Sequence, residues 1–297
     1  MSPNERRIAI VGGGPSGLSA AIELRRLGVE RVTVYEREQH AGGIPRHTNH
    51  LGFGARDLHR MMTGPGYARA LIDRAQQAGA ELRLGTPVFS LDDLDADAVI
   101  LATGVRERPR SARLVPGDRP AGIFTTGSVQ QLSMAGHRVG TRAVIVGAEH
   151  VSFSAILTLA HTGCRSVAMV THLPHHQSLG IVKLATASWR RVPVLTGVKV
   201  DEIVGRRRVE RVVLSDGRTF ACDTVVFTGD WIPDNELARQ IGLTMNPTIR
   251  GPLVDDAFRT SRAGVFAVGN LVHRVAAADR CALDGRAVAA EVVRSLA

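Results

Sequence analysis

The sequence predicts an α/β fold made of two similar strand–turn–helix–strand units, the second inserted into the first. Three observations predict it. A glycine-rich turn joins a buried strand to a helix near the start of the chain, the same pattern begins again at residue 143, and the chain closes with a strand and a helix of small residues. Strands that alternate with helices are typical of a parallel sheet. The chain has 297 residues, enough for about two domains.

The first unit opens with an apolar strand at residues 7–11, followed by the turn GGGPSG at 12–17. A helical pattern follows over 18–27, and a second strand, 31–35, ends at Glu36. Farther along, the periodicity predicts the following elements: a helix over 67–79, strands over 81–84 and 87–89, and a buried strand within DAVILATG at 97–104.

The order strand, glycine turn, helix, strand and acid is that of a dinucleotide-binding Rossmann unit. Gly12 permits the tight turn, Gly14 lets a pyrophosphate approach the backbone, and Gly17 lets the helix pack closely on the strand. Unpaired N–H groups at the helix N-terminus attract the phosphates. Glu36 follows Gly17 by 19 residues, so it is placed to accept hydrogen bonds from a ribose diol.

The second unit repeats the first. The segment AVIVGAEHVSFSAILTLAHTG begins at residue 143 and leads into SVAMV. Short strand-like segments follow at 192–195, 198–204 and 209–214, and DTVVFTG at 223–229 matches DAVILATG. The sequence therefore predicts an internal duplication of a dinucleotide-binding unit.

The chain then returns to the first unit. GVFAVGN at 264–270 is predicted as a strand ending in a polar residue, and residues 276–296 as a helix. We therefore expect a first domain made of 1–115 and 246–297, and a second domain over 116–245.

The net charge is +9, but it does not indicate a nucleic-acid partner. Lys183 and Lys199 are the only lysines among 37 basic residues, the arginines are scattered, and aromatics make up only 4% of the chain. Single-strand binders rely on such aromatic platforms. We also find neither an apolar run long enough to cross a membrane nor an export signal, so we expect a cytoplasmic protein without a membrane partner.

The cysteines and histidines offer little chemistry of their own. Cys164, Cys222 and Cys281 are far apart and odd in number, which argues against a disulfide framework, a zinc site or a redox dithiol. A histidine-rich segment, THLPHH at 171–176, has irregular spacing interrupted by Pro174. We interpret it as a solvated loop and expect no metal.

Four segments, GGIPRH, VGAEHVSFSAILTL, VVFTGDWIPD and FAVGN, carry a family resemblance. The chain resembles flavoproteins with two dinucleotide-binding domains, in the compact arrangement of low-molecular-weight thioredoxin reductases. It is more similar still to the flavin subunits of opine, hydroxyproline and other amino-acid dehydrogenases and of hydrogen cyanide synthase. The resemblance implies FAD in the first unit.

The resemblance also implies particular contacts. The backbone near Val88 would touch the adenine, the G-D motif that contacts the ribityl chain is here Gly269-Asn270, and the helix N-terminus near Ala278 would face the flavin C2=O. Asn keeps one acceptor and adds two donors, so the contact can survive. The full set of implied FAD-binding residues is Gly12, Gly14, Pro15, Ser16, Gly17, Glu36, Arg37, Gly43, Val88, Ala102, Thr103, Gly104, Gly269, Asn270 and Ala278.

Arg46 and His47 would fall near the isoalloxazine in this fold. One interpretation makes them catalytic: Arg46 pairs with a carboxylate or the flavin, and His47 acts as acid or base. The other interpretation is that both residues brace a loop.

Two departures from the family pattern matter. The chain lacks the C-x-x-C of thioredoxin reductases, and the second turn keeps only Gly147, with Glu149 and Ser152 in place of the other two small residues. A carboxylate beside a phosphate costs on the order of 1–4 kcal/mol. No arginine pair follows the next strand, where His172 lies. Nicotinamide binding at Gly147, Glu149, His150 and His172 is therefore disfavoured, and an ATP-like ligand, a structural role or an empty site stays open.

The sequence thus predicts an FAD-dependent oxidoreductase that transfers hydride to or from flavin N5. The favoured context is an amine or amino-acid substrate, with a partner protein or electron carrier to receive the electrons. The alternatives are an NAD(P)H-dependent reductase of a small electron carrier and a flavin-loaded scaffold without turnover. Neither the substrate nor a homo-oligomeric state can be deduced from the sequence.

Overall fold

The computed structural model describes residues 6–178, 180 and 184–296, which form two compact units. The first unit falls within Met1–Arg46, Leu51–Arg106 and Ile232–Ala297, and the second within His47–His50 and Glu107–Trp231. Two short strands, β7 (Val105–Glu107) and β16 (Trp231–Pro233), form a two-stranded sheet. The sequence patterns alone placed the second domain at 116–245.

The first unit is built on a five-stranded parallel sheet. The strands of this unit are β1 (Arg7–Val11), β2 (Arg31–Tyr35), β3 (Leu51–Phe53), β4 (Met62–Thr63), β5 (Glu81–Arg83), β6 (Ala98–Leu101) and β17 (Val265–Ala267). The order in the sheet is β17-β6-β1-β2-β5, and a small antiparallel pair, β3–β4, lies outside it.

The helices of the first unit begin where side chains or proline favour it. Pro15 stands in the first turn of α1 (Pro15–Arg26), and the Thr63 side chain accepts the N–H of Gly66 to cap α2 (Gly64–Gln77). The other helices of this unit are α6 (Glu236–Gln240) and α7 (Ala278–Leu296), with 3₁₀ turns at Leu91–Asp93 and Gly269–Leu271. A third 3₁₀ turn, Ile44–His47, has its last residue in the second unit.

The core of the first unit lies on both faces of the sheet. Ile8 and Ile10 of β1 pack in one buried cluster, and Ala9 and Val11 pack in the other, as the alternation of a strand requires. Helix α7 approaches α1 closely because Gly285 has no side chain: a Cβ there would lie 2.1 Å from the carbonyl oxygen of Ser16.

The second unit has its own five-stranded parallel sheet and a three-stranded antiparallel sheet. Its strands are β8 (Ile123–Thr125), β9 (Arg142–Val146), β10 (Arg165–Val170), β11 (Val194–Leu195), β12 (Val200–Val204), β13 (Arg211–Leu214), β14 (Thr219–Ala221) and β15 (Thr224–Phe227). The parallel order is β11-β10-β9-β15-β8, and the antiparallel order is β12-β13-β14. The described helices are α3 (Arg110–Arg113), α4 (Thr126–Met134), α5 (His150–His161) and a π-helical turn at Leu184–Ser188.

The predicted strand at 87–89 is wrong. This segment makes no strand pairing, because Pro87 cannot donate to a ladder. Val88 instead packs on the buried cluster that contains Leu91 and Leu94. Within the described residues, no helix is both long and apolar enough to cross a membrane.

Candidate functional site

The first glycine turn has the backbone that a dinucleotide cradle needs. Gly12 has φ = +112°, and a Cβ there would lie 2.4 Å from the carbonyl oxygen of Ala102, so only glycine fits. At Gly17, inside α1, a Cβ would lie 1.9 Å from the carbonyl oxygen of Gly12. These two glycines let the turn and the helix close tightly at the end of β1.

Two other glycines face open space instead. A Cβ built at Gly14 or at Gly104 would meet nothing within 4 Å. Gly14 is the N-cap of α1 and has an extended backbone, so its lack of a side chain is not a conformational requirement. The open space beside both residues is room for a ligand to approach the backbone.

Glu36 lies next to this turn at the end of β2. Its Oε2 accepts the N–H of Gly13 at 2.9 Å, and its Oε1 accepts the N–H of Glu38 at 2.9 Å. Each carboxylate oxygen has a further lone pair, so Glu36 can still accept bonds from a ribose.

The C-terminal motif Gly269-Asn270 is held in place by contacts with other residues of the chain. A Cβ at Gly269 would lie 2.2 Å from Ser16 Oγ, so the motif packs directly on α1. The Asn270 side chain bonds the backbone of Ala276 through both its oxygen and its nitrogen. One N–H of Asn270 and one lone pair of its oxygen are left for a ligand.

Helix α7 begins at Ala278, as the resemblance requires, but its first turn carries a buried acid. The Asp279 carboxylate accepts the N–H groups of Gly54 and Arg56, each at 3.0 Å. An anion here offsets part of the positive potential of the helix N-terminus.

The two candidate catalytic residues lie in one 3₁₀ turn, Ile44–His47. Arg46 pairs with the carboxylate of Glu38 and donates to the carbonyl of His40. His47 is half-buried and belongs to the second compact unit. The contacts of Arg46 support the loop-bracing interpretation, and its catalytic role stays a prediction.

Sequence reasoning missed Asp234, which connects three of the first unit's segments. Its carboxylate pairs with Arg37 at 2.8 Å and with Arg106 at 3.2 Å, and its carbonyl accepts the Thr103 hydroxyl at 2.6 Å. Burial raises the pKa of Asp234, whereas the hydrogen bond from Arg106 lowers the pKa of neighbouring Glu236 to about 2. Asp234 ends the segment VVFTGDWIPD that carries the resemblance, but no local pattern reveals its partners, which lie more than a hundred residues away.

The second turn differs from the first in what surrounds it. The Glu149 carboxylate turns back toward the strand ends, where its Oε2 accepts the hydroxyls of Ser152 at 2.7 Å and Thr228 at 3.1 Å. His150 Nδ1 lies 3.2 Å from Ser178 Oγ, and burial is the main cause that lowers the pKa of His150. His172 is exposed.

The histidine side chains of the loop at 171–176 do not come together. His175 is exposed, and His176 packs edge-on against the Phe153 ring with the centroids 6.0 Å apart. Across the described residues, no three His, Cys, Asp or Glu side chains are grouped so that they could hold a metal ion.

The first cradle fits FAD. It supplies space beside Gly14 and Gly104, an acceptor in Glu36 next to the turn, and the free N-terminus of α1 for phosphate charge. Bound there, the flavin would be held by the residues implied from the sequence, although the individual contacts stay predictions.

Comparison with known proteins identifies the family and the fold. The family profile described as pyridine nucleotide-disulphide oxidoreductase matches residues 6–285. The thioredoxin reductase of T. acidophilum has the same fold, with a TM-score of 0.83, 22% identity, and coverage of 98% of both chains.

Two curated relatives differ in their named activities. The ferredoxin reductase component of chlorobenzene dioxygenase from Cupriavidus sp. (strain PS12) is 32% identical and aligns with 89% of this chain and 66% of its own. An opine oxidase subunit from Agrobacterium tumefaciens (strain Ach5) is 24% identical and aligns with 97% of this chain and 66% of its own. The chain thus spans about two thirds of the length of these relatives.

This chain belongs to the pyridine nucleotide-disulphide oxidoreductase family. Its class is that of the FAD-dependent oxidoreductases with a thioredoxin reductase-like fold of two dinucleotide-binding domains.

Proposed function

We propose that the chain is the flavin-carrying unit of a dehydrogenase that oxidises an amine or amino acid and passes the electrons to a protein partner. FAD supplies hydride chemistry at its N5. The protein must therefore hold the flavin, admit the substrate and offer no competing acceptor. We further propose a cytoplasmic location, in keeping with unpaired cysteines.

The observation that carries the transfer of electrons to a protein partner, and not through a disulfide, is the state of the three cysteines. Cys164 and Cys222 belong to two different apolar clusters of the second unit, and Cys281 is buried in α7 of the first. All three are free, and burial raises the pKa of each to about 11. At neutral pH they are thiols, so they neither attack a disulfide nor relay electrons.

The substrate class has weaker but independent support. The resemblance to the flavin subunits of amino-acid dehydrogenases agrees with the likeness to the opine oxidase of Agrobacterium tumefaciens, which covers nearly the whole chain. The basic net charge of +9 also favours an anionic substrate or an acidic partner protein.

A second candidate is an NAD(P)H-dependent reductase of a small electron carrier. It is favoured by the relatives named as ferredoxin reductase components, such as the one that is 32% identical. In both candidates electrons leave the flavin for a protein partner, and the two differ in what reduces the flavin.

An anaerobic titration separates them. The FAD-loaded protein is mixed in turn with NADH, NADPH and a panel of amino acids and amines, and the flavin absorption band is followed. We expect a member of the amino-acid or amine panel to bleach the flavin and the nucleotides to leave it oxidised. Bleaching by NADH or NADPH alone would favour the reductase, and bleaching by none would favour a flavin-loaded scaffold.

A further inference from the structure

The two units allow a position-by-position comparison of their turns. Strand β1 and helix α1 recur as β9 and α5, each 135 positions further along the chain. The N–H of Gly42 donates to the carbonyl of Gly13 at 2.7 Å, and the N–H of Gln177 donates to the carbonyl of Ala148 at 2.9 Å, again 135 positions further. The backbones of the two turns are therefore built alike, and side chains make the difference.

The main difference is what occupies the space beside the turn. In the first unit this space is open at both Gly14 and Gly104. In the second unit Glu149 is equivalent to Gly14. Gly229, which ends the segment FTG, is equivalent to Gly104, which ends the segment ATG. A Cβ at Gly229 would lie 2.6 Å from the carboxylate carbon of Glu149, so the carboxylate fills the space that is open beside Gly104.

The carboxylate is fixed in this place. Ser152 stands where the first unit has Gly17, and its hydroxyl donates to Glu149 Oε2 while accepting the N–H of Glu149 at 3.0 Å. Thr228, next to Gly229 at the end of β15, donates a second bond. The two departures from the glycine pattern, at 149 and 152, thus complement each other.

The carboxylate also satisfies the electrostatics of the site. It lies at the N-terminus of α5, where a helix attracts negative charge and where a Rossmann unit normally binds pyrophosphate. The residues of the second turn consequently do not fit NADH or NADPH in the pose that the first turn offers to FAD.

We infer that Glu149 is a specificity-determining residue that excludes nicotinamide dinucleotides from the second unit by occupying the position of their phosphates. The second unit then contributes structure but no reducing nucleotide; that the flavin takes its electrons from an organic substrate rests on the proposed function. The inference concerns binding alone, so it can fail without the proposed substrate class failing, and the reverse also holds.

The test is a binding titration of the FAD-loaded protein with NADH and NADPH by calorimetry. We expect no saturable binding to the wild type at micromolar concentrations and a gain of roughly tenfold or more for Glu149→Gly, because the glycine leaves the space beside Gly229 open for a phosphate. Glu149→Gln keeps the size of the side chain and removes its charge, so its gain should be much smaller. Ser152→Ala should also gain less, because the carboxylate remains.

Glu202→Gln, which removes an exposed carboxylate from β12 of the same unit, controls for the change in net charge and should bind no more tightly than the wild type. The flavin spectrum and far-UV circular dichroism verify that each variant is folded, and Glu149→Ala replaces Glu149→Gly if the glycine destabilises α5. Low-micromolar binding by the wild type would overturn the inference, as would a folded Glu149→Gly or Glu149→Ala variant that gains nothing. An equal gain for Glu149→Gln and Glu149→Gly would show repulsion rather than occupancy and would also overturn it.

Discussion

Asn270 and Ala276 are joined by two hydrogen bonds that run in opposite directions. The Asn270 oxygen accepts the N–H of Ala276 at 2.8 Å, and the Asn270 nitrogen donates to the carbonyl of Ala276 at 3.2 Å. An aspartate could make only the first of these bonds and would set a carboxylate oxygen against the carbonyl. The amide therefore closes the loop between the 3₁₀ turn at Gly269–Leu271 and α7.

Asn270→Asp should accordingly destabilise the protein, although the resemblance places aspartate at this position. Losing one bond and creating one repulsive contact should cost roughly 1–2 kcal/mol, or about 2–6 °C in Tm. Asn246→Asp is the matched control, because among the described hydrogen bonds the Asn246 side chain acts only as an acceptor, of the N–H groups of Thr248 and Ile249. Equal melting temperatures for both variants would contradict the role of the Asn270 nitrogen.

Two glycines of the first turn should respond to alanine in opposite ways. At Gly17 the added methyl meets the carbonyl of Gly12, so Gly17→Ala should destabilise the protein by roughly 1–3 kcal/mol or more. At Gly14 it meets only open space, so Gly14→Ala should keep the Tm of the apoprotein but lower FAD affinity by about tenfold or more. Thermal melts and flavin titrations measure the two effects, and unchanged FAD affinity in Gly14→Ala would mean that the cofactor does not approach this backbone.

Glu36→Arg should lower FAD affinity strongly. It removes the acceptor beside Gly13 and introduces a cation there, and a bond to a charged group contributes about 1.5–3 kcal/mol, or roughly ten- to a hundredfold in affinity. Glu30→Arg makes the same charge change at an exposed position before β2 and should bind FAD normally. The flavin content of the purified variants is the measurement, and full occupancy in Glu36→Arg would remove Glu36 from the site.

Replacing Cys164, Cys222 and Cys281 together by serine should leave flavin reduction nearly unchanged, since all three are buried thiols with a pKa of about 11. The same protein should show no disulfide reductase activity before or after the change. Stopped-flow flavin reduction and a thiol-release assay test this. A folded triple variant that loses turnover would show that a cysteine takes part.

His273 should make the stability of the first unit pH-dependent. Its Nε2 lies 2.9 Å from Asp284, and this hydrogen bond raises the pKa of His273 above its usual value. The pair of His273 and Asp284 therefore contributes its full stabilisation below about pH 6.5, the pKa of histidine in the unfolded chain. This stabilisation is lost as the pH rises through the higher pKa of His273 in the folded protein. Arg280, which also contacts Asp284, opposes protonation of His273.

The measurement is the difference in Tm between the wild type and His273→Gln from pH 5 to 9. At acidic pH we expect the wild type to have a higher Tm than His273→Gln, and we expect this difference in Tm to shrink toward alkaline pH. Asp284→Asn should remove the same pH dependence. A difference that grows with pH would have the wrong sign for this pair.

The sequence by itself determined the duplicated α/β architecture and the first cradle, because these depend on local patterns. Gly12 and Gly17 are needed wherever a strand turns sharply into a closely packed helix, and the periodicity of the neighbouring strands identifies that turn. The strand predicted at 87–89 is wrong because only Val88 packs on a buried cluster, without joining a sheet, while Phe89 is exposed; periodicity alone does not separate such a segment from a strand.

Only the tertiary structure decided what the side chains contact. The sequence placed Glu149 in the second turn, but the direction of its carboxylate depends on Thr228, 79 residues away, which the sheet brings next to it. Asp234 joins Arg37, Thr103 and Arg106 in the same way. A buried polar side chain adopts the conformation in which its polar atoms are hydrogen-bonded. Because its hydrogen-bond partners belong to elements distant in sequence, no local pattern reveals them.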